Sequence, residues 1–225
     1  MDNGPQLQQK NNRPALLIFA KAPIPGYCKT RMEPDLSPEQ CAELQEALLK
    51  DTIRLKENLD AKISIWMAYT PEENKDYFRR LSSQVVPQKS GDLGERMSQC
   101  LNHLFNQGYA PIIIIGTDTP LSSEGLNEAF KILKFHDAVI GPSVDGGYYL
   151  LGLNCYEPEL FKDISWSTSH VFRQTHDKIN QSGLTVQSLR QNRDIDDFQD
   201  LQAYRDVETN PHLDQWKQKF FNENG

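Results

Sequence analysis

Three cationic side chains fall within eleven residues: Lys21, Lys29 and Arg31, in the run Lys21-Ala22-Pro23-Ile24-Pro25-Gly26-Tyr27-Cys28-Lys29-Thr30-Arg31. Lysine is a compact point charge and arginine a planar fork, so this loop, with Thr30 between its last two cations, can clamp the oxygens of a diphosphate. Two prolines stiffen it and Gly26 permits a tight turn. It is neither a Walker loop nor the three-glycine dinucleotide fingerprint. The same composition also suits a solvated surface loop.

Acidic groups supply the complementary chemistry. Asp118, in Gly116-Thr117-Asp118-Thr119-Pro120, directly follows a four-isoleucine run. A carboxylate at the end of a buried strand can hold Mg²⁺ or Mn²⁺ against phosphate oxygens, although Asp and Pro also simply build turns. Asp145, Gly146 and Gly147 let backbone approach a ligand with a carboxylate beside it, and Asp-Gly equally suits a hairpin. In Arg193-Asp194-Ile195-Asp196-Asp197, Asp194 and Asp196 share a face if extended, so one could be a second metal carboxylate; the competing reading is helix capping by Asp196 or Asp197. Asp92 and Arg96 open a helix whose N-terminus could receive an anion, with Asp92 also suited to be its cap. Trp166 could line an acceptor pocket, while Ser167 or Thr168 caps the helix expected from Ser167 to Gln181.

These groups need a scaffold that brings strand ends together. Leu16 to Ala20 and Ile112 to Ile115 read as strands buried on both faces. Lys62 to Ala68, Gln84 to Pro87, Asp137 to Ile140, Tyr148 to Leu153 and Thr185 to Leu189 read as further strands. Ser37, Pro38 and Gln40 form a helix start with a capping box, followed by Cys41, Leu44, Leu48, Thr52, Leu55 and Leu59 at helical spacing. Glu72 to Leu81, Gly91 to Asn106 and Ser122 to Lys134 are also helical. Strands alternating with helices predict an α/β fold with a mainly parallel central sheet flanked by helices, whose ligands sit beyond the strands' carboxyl ends.

Composition narrows the classes. The chain has 225 residues, a net charge of −7 and 38% hydrophobic content. That is ample for one core and a poor match for a general polyanion binder, so nucleic acid is not an expected partner. No apolar run approaches the roughly 20 residues needed to span a bilayer, so no membrane partner is expected. Four dispersed cysteines give no zinc pattern or disulfide framework. The expectation is a cytoplasmic protein with a disordered tail over residues 1–13 and a single domain over 14–225.

Taken together, the motifs resemble a bacterial family of nucleotide-diphospho-sugar transferase-like proteins, which includes glycosyltransferases linked to arsenosugar biosynthesis and transferases associated with radical-SAM/selenodomain proteins. The resemblance is carried by F-A-K-A-P-I-P-G-Y-C-K-T-R-M at Phe19 to Met32, G-D-L-G-E-R-M at Gly91 to Met97, G-T-D-T-P at Gly116 to Pro120, D-G-G-Y-Y-L-L-G-L at Asp145 to Leu153, W-S-T at Trp166 to Thr168 and R-D-I-D-D at Arg193 to Asp197. It implies a glycosyltransferase A-type, Rossmann-like fold that binds a nucleoside diphosphate. By similarity, Asp118 is the metal carboxylate, Asp196 the late acid that can complete the metal site, and Lys21, Gly26, Lys29, Thr30 and Arg31 the phosphate loop. Asp145, Gly146 and Gly147 lie by the donor sugar or acceptor. The implied activity is Mg²⁺- or Mn²⁺-dependent transfer from a nucleotide-sugar to a small-molecule acceptor. Asp145 is the candidate base if configuration inverts, and none is needed if it is retained. The alternative is nucleotidyl transfer, because the loop is also similar to that of the phospholactate guanylyltransferases.

Overall fold

The computed structural model describes residues 13–223. The expected tail lies outside the described residues except for Arg13, which opens the first strand three residues before the expected Leu16.

The strands are β1 (Arg13–Lys21), β2 (Ser64–Thr70), β3 (Val85–Pro87), β4 (Tyr109–Ile115), β5 (Ala138–Pro142), β6 (Tyr148–Leu153) and β7 (Val186–Ser188). The helices are α1 (Pro38–Arg54), α2 (Lys75–Leu81), α3 (Leu93–Asn106), α4 (Ser123–Ile132), α5 (Val171–Gln181), α6 (Phe198–Ala203) and α7 (Pro211–Glu223). Among the described residues the strands form one sheet in the order β3-β2-β1-β4-β6-β5-β7. β6 runs antiparallel to β4 and β5, and the remaining pairs are parallel. This is the expected mainly parallel α/β architecture. From β1 the chain winds outward to β2 and β3, then returns to β4 on the other side. The carboxyl ends of β1 and β4 therefore flank a topological switch point, where doubly wound sheets bind ligands.

Alternation along β1 divides the core. Leu16 and Ile18 pack with Leu49 and Leu126 on one face, and Ala15 and Leu17 with Leu101 and Leu104 on the other. The isoleucines at 112–115 serve both faces and are at most 3% exposed. Burying each such side chain contributes about 1.5–3 kcal/mol. A third cluster joins α1 to α7 through Leu44, Leu48, Leu213 and Trp216. Asp51 of α1 reinforces that junction by accepting the His212 and Leu213 amides at 3.0 and 2.7 Å, at the start of α7.

Local signals set several boundaries. Ser37 and Gln40 form the expected reciprocal capping box. The helix expected from Ser167 instead starts at Val171, preceded by His170. Ser167 takes a left-handed backbone, φ 62°, and Thr168 donates its hydroxyl to the Ser165 carbonyl, so both residues build a turn rather than a cap. Among the described residues no helix is long and apolar enough to cross a membrane.

Candidate active site

A cleft of about 610 Å³ lies over the carboxyl ends of the central strands and gathers most of the residues singled out above. The last residue of β1 is Lys21, and the loop after it supplies Lys29, Thr30 and Arg31; the loop after β4 supplies Asp118; the β5–β6 connection supplies Asp145 and Gly147; the segment after β7 supplies Asp194 and Asp196. Arg96 and Trp166 also line it, whereas Gly26, Asp92 and Gly146 do not.

Lys29 adopts a left-handed backbone, φ 52°, and its side chain is 4% exposed. Its ammonium contacts the Asp118 carboxylate directly and also donates to the Ile195 carbonyl at 2.5 Å. The cation and the acid therefore form one pair. Arg31 reaches Asp196 at 3.4 Å from a largely exposed position. Ile195 donates its amide to the Asp118 carbonyl at 2.8 Å, which locks the late acidic segment onto the loop after β4.

Asp194 is the acid whose depth in this cleft the sequence concealed. It accepts the hydroxyls of Thr119 and of Ser143, the latter at 2.7 Å. Burial, helped by the charges of Asp118 and Asp196, pushes its carboxyl up to about 6 against those two hydrogen bonds. Asp196 is raised as well, by burial and then by Asp118. Capping of α6 falls to Asp197, which accepts the Asp200 amide at 2.9 Å and leaves Asp196 to the cleft.

Asp118 and Asp196 fit Mg²⁺ or Mn²⁺ by donor type: both offer hard carboxylate oxygens, and the charge of Asp118 helps raise the Asp196 carboxyl. Among the described residues no three His, Cys, Asp or Glu side chains form a ready cage. Two carboxylates suffice for ions that take their other ligands from substrate phosphates and water.

The loop carrying Asp145, Gly146 and Gly147 is tightly built. Asp145 accepts the Gly147 amide at 2.9 Å, a turn contact that keeps its carboxylate at the exposed rim. Gly146 stands behind it at φ 88°, where a Cβ would lie 2.2 Å from the Ser169 carbonyl oxygen. Trp166 packs onto α3 at Gly94, where a Cβ would meet the indole at 2.4 Å, and Tyr148 meets the ring edge to face. Asp92 is the N-cap of α3, in a capping box with Glu95.

Bracing residues went unnoticed in the sequence because they carry no motif. Gln45 of α1 donates to Thr117 Oγ1 at 3.1 Å and to the Lys21 carbonyl at 3.4 Å, tying the two central loops together. Gln88 bonds across the ends of β1 and β2. Its position just past a strand's carboxyl end was the available signal.

The family model for "Uncharacterized protein conserved in bacteria (DUF2064)" matches residues 52–168, more than half of the chain. The chain belongs to this family. A candidate nucleotide-diphospho-sugar transferase from Desulfovibrio desulfuricans G20 superposes with a TM-score of 0.82 at 26% identity, covering 93% of this chain and 98% of that one. The 2-phospho-L-lactate guanylyltransferase of Methanocaldococcus jannaschii is 30% identical over 139 residues, 61% of this chain. The match spans 58% of that relative's length. The inositol-1-phosphate CTP transferase of T. maritima shares the fold, with a TM-score of 0.55 at 15% identity over 92% of this chain and 96% of that one. The fold is thus that of nucleotidyl- and nucleotide-sugar-transferase-like proteins, in agreement with the family resemblance in the sequence.

Proposed function

We propose that the protein is a divalent-cation-dependent transferase that moves a sugar from a nucleotide-sugar to a small-molecule acceptor. The observation that carries this reading is the meeting of Lys29 and Arg31 with Asp118 and Asp196 in one cleft at the switch point between β1 and β4. Asp118 and Asp196 would hold Mg²⁺ or Mn²⁺, which when bound supplies neutralisation of the charge that develops on a diphosphate leaving group. Arg31, Lys21 and Lys29 add positive charge to the same cleft, which Thr30 also lines. Gly26 shapes the loop from behind, at φ 74°.

Asp145, Gly147 and Trp166 line the part of the cleft assigned to the acceptor. Asp145 is exposed and carries no ion pair among the described residues, so it can accept the proton of an acceptor hydroxyl if the anomeric centre inverts. Gly146 seats this loop, and Asp92 sets the start of α3 and with it Arg96. A separate cleft at the β3 edge, lined by Arg13, Trp66, Lys75 and Arg79, contains Glu72 as its acid and no acidic pair.

A second reading, nucleotidyl transfer from a nucleoside triphosphate with release of pyrophosphate, is favoured by the likeness to a guanylyltransferase. Incubation with Mn²⁺ and a panel of nucleotide-sugars plus pooled acceptors should release a nucleoside diphosphate. Pyrophosphate released from triphosphates and a phosphorylated acceptor would select the second reading. In either case Asp118→Asn should abolish Mn²⁺-promoted nucleotide binding in a thermal-shift assay, and unchanged binding would refute the assigned centre.

A further inference from the structure

We infer that Arg96, aimed by Gln88, reads the base of the nucleotide and selects one that presents two adjacent hydrogen-bond acceptors on a single edge. The inference rests on the nucleotide-transferase reading above.

Arg96 is a half-buried cation in the cleft and, among the described residues, pairs with no carboxylate. Lys29 and Arg31 each face an aspartate. Arg96 is held by neutral oxygens instead: its Nη1 donates to Gln88 Oε1 at 2.9 Å and its Nε to the Asp92 carbonyl at 3.3 Å. Gln88 is itself fixed, since its amide donates to the carbonyls of Ala68 at 2.8 Å and Ala20 at 3.4 Å. The guanidinium is thus oriented without being neutralised, and most of its five N–H donors remain for a ligand.

Position argues for the base rather than the phosphates. Gln88 sits over the ends of β1 and β2, while Asp118 follows β4 on the other side of β1. Neighbouring strands are roughly 4.8 Å apart, so Arg96 is anchored to one side of the acidic centre. Leu93 and Met97, on the same helix as Arg96, and Phe19 of β1 also line the cleft. A planar fork among apolar side chains suits a flat ring with a polar edge better than a hydrated phosphate.

A fork of parallel N–H donors matches adjacent acceptors. Guanine offers O6 and N7, and cytosine offers O2 and N3. Adenine sets an amino donor beside its ring acceptor, and uracil separates its two carbonyls with an N–H. The shared chemistry is therefore an adjacent acceptor pair, found in guanine and cytosine nucleotides.

Isothermal titration of the full chain with GDP, CDP, ADP and UDP in the presence of MnCl₂ tests this. GDP or CDP should bind at least about 10-fold more tightly than ADP and UDP, on the scale of one bidentate base contact, and the better of the two identifies the base. Arg96→Met should weaken that nucleotide about 10- to 100-fold and leave ADP unchanged; Arg96→Lys, which keeps the charge and loses the fork, should behave likewise. Equal affinities for all four, preference for ADP or UDP, or a uniform loss in Arg96→Met would overturn the assignment. The unsubstituted panel decides alone if the variants fail to fold. No binding by any of the four would overturn the nucleotide reading itself, an outcome distinct from binding without selectivity.

Discussion

The side chains of Lys29 and Asp118 touch across 89 residues of sequence. The lysine is almost wholly buried and the aspartate is 45% exposed, so the pair places a dry cation beneath a wet acid at the floor of the cleft. A buried ammonium needs its partner more than the exposed carboxylate does, because desolvation penalises the unpaired charge.

Asp118→Asn should therefore cost stability as well as metal affinity. We expect a loss of about 1–3 kcal/mol, discounted for the exposure of Asp118, read by urea denaturation. Lys29→Met in the same background should recover part of it, since the orphaned charge is gone. Equal stability of Asp118→Asn and the unsubstituted protein would mean that the pair is not coupled.

Gly146 and Gly26 separate steric from conformational demand. Both have positive φ, but a Cβ at Gly146 strikes Ser169 backbone whereas one at Gly26 meets open space. Gly146→Ala should destabilise by about 2–4 kcal/mol, from backbone strain plus overpacking. Gly26→Ala should cost about 1 kcal/mol. Comparison of the two urea midpoints checks this, and equal losses would contradict it.

Asp137 predicts part of the acid limb. Hydrogen bonds from the Thr185 hydroxyl and then the Thr185 amide hold its carboxyl below the usual range. The unfolded chain binds this proton more readily, so the contribution is present above the ordinary carboxylate pKa and disappears as pH falls through the lower folded value. Asp137→Asn should lower stability at neutral pH and flatten the decline below about pH 4. Denaturant midpoints measured from pH 7 to pH 3 would show it; parallel curves would exclude the assigned bonds.

Much of this was legible because local and global signals agreed. Ser37, Pro38 and Gln40 specify a helix start whatever surrounds them, and Ile112 to Ile115 suit only a strand covered on both faces. Asp118 and the cations of the loop that follows β1 were visible as types at strand ends. Their direct contact was not, since it depends on the left-handed turn at Lys29 and on the late Ile195 segment closing over the loop. Ser167 misled because a serine that can cap a helix can equally enter a turn. Asp194 was read as sharing a face with Asp196, either of them a possible second metal carboxylate; its seat between the hydroxyls of Thr119 and Ser143, contributed from two other loops, was not visible. Such bracing depends on topology, which no short window of sequence contains.

The amide of Ile195 bound to Asp118 has a consequence for biosynthesis. A ribosome delivers the cationic loop early, the first acid midway and the segment bearing Asp194 and Asp196 late. A nascent chain can pair β1 with β2 and then β4 before that last segment emerges, so the scaffold precedes the acidic floor of the cleft in time. Premature termination before residue 194 would accordingly yield a product with much of its sheet and a basic notch missing two of its acids.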